Sequence, residues 1–192
     1  MEFSNGDPVP FEPPSRLVEP NPLCPWREPE SDLRRFFPEA NRHETETRIL
    51  SGLRVELAKQ LGRQPEAAEN TLTLHRIYKD SRPLGCVLAR RVKGEHGAIE
   101  IVLAVTAQGA VQGARLQRLR EPATISAALQ DGEWLKAFDG RTHEQGWESD
   151  DLRRLPPEAR SSAHAIRDGV RSLTILFAAG ERGGAIPVKP HR

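Results

Sequence analysis

Residues 99–111, IEIVLAVTAQGAV, carry the clearest structural signal in the sequence. Four apolar residues alternate along one side of this stretch and two more lie between them: Ile99, Ile101, Leu103 and Val105, with Val102 and Ala104 opposite. A period of two predicts a β-strand, because successive side chains of a strand point to opposite faces of a sheet. The Gln108-Gly109 pair predicts a turn after that strand.

Three other stretches near this one show the same alternation. Together with 99–106 they predict strands over Leu72–Tyr78, Leu84–Val92 and Val111–Leu119. The connections between these strands are short, which favours an antiparallel sheet of about four or more strands.

Helical spacing appears on both sides of the predicted strands. Apolar residues that recur every three or four positions predict a helix over Glu44–Leu61 and a long closing helix over Pro157–Ala178. Shorter helices are predicted over Ser31–Phe36, Pro122–Leu129 and Gly132–Phe138. A sheet covered by helices defines the α+β class.

The first thirty residues differ from the rest of the chain. Nine of the 16 prolines fall before residue 40, and proline supports neither helix interiors nor central strands. We therefore expect an extended Pro-rich arm at 1–30, an α+β domain at 31–179 and an irregular tail at 180–192. The arm carries apolar anchors that predict partner binding, with Trp26 as the preferred hot spot: Phe3, Phe11, Leu17, Leu23 and Trp26. The alternatives are an arm that folds back on its own domain and an arm without order.

Charge and hydropathy exclude several classes of function. The net charge is +1, from 28 basic and 27 acidic residues, which argues against a protein that mainly binds nucleic acid or anionic lipid. No stretch reaches the roughly 18 apolar residues of a membrane span, and Met1–Pro10 lacks the pattern of a signal peptide. The sequence therefore predicts a cytoplasmic protein, with peripheral association with a membrane complex as an option.

Motifs for metal binding and catalysis are incomplete. His43-Glu44 lacks the second histidine of a zinc-binding helix, and Cys24 and Cys86 form no Cys-x-x-Cys pair. Ser161 and Ser162 lie near His164 but outside any Gly-x-Ser-x-Gly elbow. From motifs alone, we expect no metal site and no catalytic residue.

The order of several short segments resembles the FMN-binding domain family. The segments that carry the resemblance are Leu33–Ala40 (LRRFFPEA), Leu84-Gly85, Ile99–Val111, Val111–Pro122, Trp134–Gly140 (WLKAFDG) and Ala163–Leu176. The family includes domains of the sodium-translocating NADH:quinone reductase and of the Rnf electron-transport complex. The resemblance implies an FMN-binding-like fold over about residues 31–178 and a role in electron transfer.

In many members of that family, the FMN phosphate is esterified to a threonine in a Ser/Thr-Gly-Ala-Thr motif before the closing helix. The corresponding residues here are Pro157-Glu158-Ala159-Arg160, of which only Ala159 agrees. Arg160 has no hydroxyl, and Glu158 adds a negative charge where glycine would admit a phosphate. Covalent flavin is therefore not expected.

Two interpretations of the resemblance stay open. In the first, the domain binds FMN without a covalent bond, with Arg160 on the phosphate and Ser161, Ser162 and His96 as further contacts. In the second, the protein binds no cofactor and is a non-catalytic accessory or assembly subunit of a multi-subunit redox complex. Loss of both the glycine and the threonine of the motif favours the second interpretation.

Overall fold

The structure is a computed structural model, and it describes residues 24–147, 150–182 and 186–188. It has an α+β architecture, as the sequence predicts. The helices are α1 (Pro29–Phe36), α2 (Arg54–Leu61), α3 (Ala123–Gln130), α4 (Gly132–Leu135) and α5 (Arg160–Glu181). The strands are β1 (Arg42–Ile49), β2 (Thr71–Lys79), β3 (Arg82–Lys93), β4 (Ala98–Thr106), β5 (Val111–Leu119) and β6 (Ile186–Val188).

The strands form one six-stranded sheet in the order β5-β4-β3-β2-β1-β6, and every neighbouring pair is antiparallel. From β1 to β5, each strand lies beside its neighbour in sequence, so this part of the sheet is a meander. The four strands predicted from the period of two correspond to β2, β3, β4 and β5.

Each face of the sheet has its own hydrophobic cluster. The larger cluster lies between the sheet and helices α2 to α5, and it includes Leu88, Ile101, Leu103, Ile166 and Leu173. The smaller cluster covers the opposite face with residues of α1 and the segment around it, among them Trp26, Phe36 and Phe37. Apolar residues on both faces of β4 are consequently fully buried.

Helix α5 lies closely against β3 and β4 because Gly169 has no side chain. A Cβ atom at this position would lie 2.6 Å from Cγ1 of Val92 and 2.9 Å from Cδ1 of Ile101. These distances are shorter than carbon atoms tolerate, so the close approach of helix and sheet requires glycine.

The predicted helix over Glu44–Leu61 is wrong in its first half. Residues Arg42–Ile49 form strand β1, which pairs with β2 from Arg42↔Tyr78 to Ile49↔Thr71. A short 3₁₀ turn over Ser51–Leu53 then leads into α2. The pairing with β2 outweighs the helical preference of the glutamates in β1, since strand formation depends strongly on cross-strand context.

The predicted irregular tail is also partly wrong. Helix α5 continues to Glu181, and Ile186–Val188 form β6, which pairs antiparallel with β1. This short strand covers the edge of β1 that would otherwise present unpaired backbone groups. Among the helices in the described ranges, none has the length and apolar composition that crossing a membrane requires.

Candidate functional site

Glu121 lies where three segments meet: the loop between β3 and β4, the end of β5 and the start of α5. Its carboxylate accepts a hydrogen bond from Oγ of Ser162 at 2.7 Å and lies 2.8 Å from Nδ1 of His96. The backbone amide of His96 donates to both carboxylate oxygens at 3.3 Å. Ser162 Oγ also accepts a hydrogen bond from the amide of Glu95 at 2.8 Å. Two of the residues predicted as flavin contacts, His96 and Ser162, are thus brought together by a buried carboxylate.

The environment of Glu121 keeps its carboxyl group ionised. The side chain is completely buried, and burial alone would raise its pKa. The hydrogen bonds from Ser162 and His96 outweigh burial, and the pKa of Glu121 is lowered. Gly94 lies directly over this group, where a side chain would collide with Glu121 and Ser162.

This arrangement does not form a nucleophilic relay. A serine nucleophile needs a base that removes its proton, and the imidazole of a triad performs that step. Here the carboxylate of Glu121 stands between Ser162 and His96, and each of them is hydrogen-bonded to it rather than to the other. The cluster therefore connects three chain segments through one internal anion.

Arg160 and Ser161 do not join the Glu121 cluster. The guanidinium of Arg160 donates to the backbone carbonyls of Leu155 and Arg153, at 3.1 Å each. These carbonyls belong to the turns that precede α5, so the side chain stabilises the entry to the helix. Ser161 is exposed on the first turn of α5.

Trp26 packs inside its own domain, which differs from its predicted role as the hot spot for partner binding. It is 9% exposed, and its indole nitrogen donates to Oδ2 of Asp32 at 2.6 Å. Its ring lies 4.8 Å from the ring of His75 and 5.5 Å from that of His43. This part of the arm folds back on the sheet because the indole finds both an apolar surface and a hydrogen-bond acceptor there. The other predicted anchors, Phe3, Phe11, Leu17 and Leu23, lie outside the described residues.

Sequence analysis missed the buried carboxylates. Besides Glu121, three acidic side chains among the described residues are at most 1% exposed, and each pairs with one or two arginines: Asp32 with Arg115, Glu69 with Arg63 and Arg90, and Glu100 with Arg27 and Arg91. Only Glu100 gave a signal in the sequence, since it interrupts an otherwise apolar strand. Burial would raise the pKa of Glu69, but hydrogen bonds from Arg63 and neighbours lower it to about 2.

The sheet opens between β2 and β3. Their pairing runs from Lys79↔Arg82 to His75↔Val87, and no pairing in the described sheet joins Thr71–Leu74 to the remainder of β3. Both strands stay paired with their outer neighbours over the same region. A cavity of about 620 Å³ lies at this opening, and its lining includes Leu72, Val92, Leu173 and Leu176.

Metal and thiol chemistry find little support in the described residues. They contain no group of three or more His, Cys, Asp or Glu side chains placed to hold a metal ion. Cys24 and Cys86 are buried free thiols, and burial raises their pKa values to about 11 and about 12. Both are therefore uncharged at neutral pH and weak as nucleophiles.

Comparison with known proteins adds no assignment. No protein-family model matches the chain, and no curated protein matches it either.

Proposed function

We propose that this protein is a non-catalytic accessory or assembly subunit of a redox or electron-transfer complex, built on an FMN-binding-like fold that has lost covalent flavin attachment. The family and the redox context rest on the resemblance of the sequence segments. The structural observation that carries the accessory role is the internal anion at the start of α5, and the contacts of Arg160 add to it.

In the family that the sequence resembles, the start of the closing helix carries the flavin phosphate. A helix start attracts an anion through its free amide groups and the positive end of its dipole. In this protein the carboxylate of Glu121 already accepts hydrogen bonds from polar groups in that region, namely Ser162 Oγ and the amide of His96. A phosphate there would meet a buried negative charge, and like charges in a buried site repel each other strongly.

The contacts of Arg160 support the same proposal. Non-covalent FMN binding was expected to use its guanidinium as a fork for the phosphate. That group instead donates to the carbonyls of Leu155 and Arg153. To reach a phosphate, Arg160 would first have to give up these two hydrogen bonds.

The visible absorption spectrum of the purified protein tests the absence of flavin. We expect a colourless protein, no colour in the pellet after acid precipitation, and no saturable quenching of FMN fluorescence on titration. A yellow pellet would demonstrate covalent flavin. Saturable binding of FMN that is weakened by Arg160→Ala would replace the proposal with the non-covalent flavoprotein.

Loss of the gene in its host tests the accessory role. We expect cell extracts without the protein to lose electron-transfer activity, and the colourless protein to restore it. The Ser161→Ala variant, which alters an exposed side chain outside the Glu121 cluster, should restore activity to the same extent as the unaltered protein. Full activity in the absence of the protein would contradict the proposal.

A further inference from the structure

The opening between β2 and β3 leaves backbone groups without their usual partners. In an antiparallel sheet, the amide and carbonyl groups of alternate residues point to each neighbouring strand. Thr71–Leu74 pair with β1 and the distal part of β3 pairs with β4, yet these two segments do not pair with each other. Since unpaired backbone groups away from water are costly, an opening of this kind needs water or a ligand between the strands.

The cavity in this opening has the size and lining of a small-molecule site. Its volume of about 620 Å³ falls within the range of roughly 300–1,000 Å³ that is usual for ligand pockets. The accessible apolar part of the lining comes from Ala68, Ala89, Val92 and Ala98, and Thr71 and Thr73 add hydroxyl groups from β2. Such a lining suits a molecule with an apolar body.

The charge around the cavity is positive. Its lining carries three cations and one carboxylate: Arg90, Arg91, Lys93 and Glu66. Inclusion of the direct ion-pair partners of these residues adds Arg63, Glu69 and Glu100, so that four cations face three carboxylates. Arg90 is bonded to Glu69 and Arg91 to Glu100, whereas Lys93 is exposed and forms no ion pair with any described residue.

We propose that this cavity binds a small apolar carboxylic acid, with its hydrocarbon body against Val92 and the alanines of the lining and its carboxylate on Lys93. The accessible apolar lining provides binding free energy in proportion to the buried area, and the ammonium group of Lys93 selects the anionic head. Threonine hydroxyls and open strand edges provide further hydrogen bonds. This site does not depend on the proposed accessory function, and Glu121 is not part of its lining.

Two titratable side chains of the lining, Cys24 and His75, are uncharged at neutral pH. Cys24 lines the cavity, but its thiol is protonated at neutral pH because burial raises its pKa to about 11. His75, also in the lining, is neutral there because burial lowers its pKa to about 4. The cavity lining therefore presents neither a thiolate nor an imidazolium.

Calorimetric titration of the full chain with decanoate tests this inference. Decyltrimethylammonium, with the same chain length and the opposite charge, serves as the ligand control. We expect decanoate to bind saturably at one site and the cation not to bind. Lys93→Glu should weaken decanoate binding by about tenfold or more. Arg118→Glu makes the same charge change at an exposed residue of β5 outside the cavity and should leave binding unchanged.

A second variant tests the location of the apolar body. Ala68 is exposed and lines the cavity, so Ala68→Trp should fill the space and abolish decanoate binding while circular dichroism shows an unchanged fold. Absence of saturable binding to the wild-type chain would overturn the proposal. So would equal losses in Lys93→Glu and Arg118→Glu, equally tight binding of the cation, or undiminished binding to Ala68→Trp.

Discussion

The indole nitrogen of Trp26 and the carboxylate of Asp32 form a buried hydrogen bond of 2.6 Å that attaches the chain before α1 to that helix. Oδ2 of Asp32 also accepts from Nη2 of Arg115 on β5 at 2.9 Å, so one carboxylate joins two segments far apart in sequence. Asp32 is completely buried, so Trp26 and Arg115 both depend on its carboxylate as the acceptor of their hydrogen bonds.

Replacement of Asp32 should destabilise the protein strongly. Asp32→Ala leaves the guanidinium of Arg115 without its buried counter-charge, which we expect to cost about 3–5 kcal/mol of unfolding free energy. Urea unfolding followed by tryptophan fluorescence measures this loss. Glu30→Ala, at an exposed position of the same helix, should change stability by less than about 0.5 kcal/mol. Equal unfolding midpoints for the two variants would contradict the role of Asp32.

Leu103 tests the buried position of β4. Its side chain is completely buried in the larger cluster, and Leu103→Ala should cost about 2–5 kcal/mol through lost apolar contacts and the resulting cavity. Val55 is 76% exposed on α2, so Val55→Ala should be nearly neutral. Chemical denaturation of both variants gives the comparison, and a neutral Leu103→Ala would show that β4 is misplaced.

His75 should make the protein sensitive to mild acid. Burial, followed by the charge of His43, lowers the pKa of His75 from 6.5 to about 4. Between these values the unfolded chain binds a proton that the folded chain does not, so stability is lost as the pH falls from about 6.5 to 4. The loss should total about 3 kcal/mol. His75→Gln should flatten this part of the pH–stability curve, and the exposed His164→Gln should leave it unchanged. An identical curve for wild type and His75→Gln would exclude this residue as the cause.

Glu69 should make the stability of the protein depend on pH in a more acidic range than His75 does. Its pKa is lowered from 4.5 to about 2, so its contribution is complete above about pH 4.5 and is lost as the pH falls toward 2. We expect this contribution to be about 3 kcal/mol, and Glu69→Gln should remove the corresponding pH dependence. Glu144, whose side chain is 80% exposed, provides the matched Glu→Gln control. Unfolding midpoints measured across the acidic pH range test this interpretation. The same pH dependence of the midpoint in Glu69→Gln and Glu144→Gln would contradict it.

Ser162 belongs to the Glu121 cluster, whereas its neighbour Ser161 lies on the exposed surface of α5. Variants of these two serines therefore distinguish the contribution of the cluster from that of the surface. Ser162→Ala removes a hydrogen bond to a buried carboxylate and should cost about 1–3 kcal/mol. Ser161→Ala changes an exposed residue one position earlier and should cost less than about 0.5 kcal/mol. Thermal unfolding of the two variants provides the measurement, and equal costs would show that the cluster contributes nothing to stability.

Much of the sheet follows from the sequence alone. Strands β2 to β5 have alternating apolar residues, and this period depends only on local geometry. Strand β1 was missed because its sequence, RHETETRI, is polar and rich in glutamate, and only its pairing with β2 makes it a strand. The spacing of Leu53, Leu57 and Leu61 correctly indicated α2, but Ile49 and Leu50 extended the predicted helix too far.

The candidate sites were harder to predict, because their members are distant in sequence. Ser162 and His96 were singled out for a different reason, and nothing in the sequence shows that Glu121 lies between them. The cavity depends on where the pairing of β2 with β3 ends, at His75↔Val87. Beyond that point β2 keeps its alternating pattern, whereas Arg90 and Arg91 interrupt that of β3. Two adjacent arginines do not by themselves indicate where the pairing of two strands ends.

The order of elements along the chain has a consequence for synthesis. All five strands of the meander precede α5, so a ribosome releases them before the helix that covers their larger apolar face. Neighbouring strands can pair as hairpins while the chain is still growing, since their contacts are local. Until α5 emerges, however, Leu88, Ile101 and Leu103 on the nascent sheet lack the helix that packs on β3 and β4, and such surfaces aggregate or recruit chaperones. Chains that are truncated before residue 160 should therefore be retained by chaperones, and completion of α5 should release them.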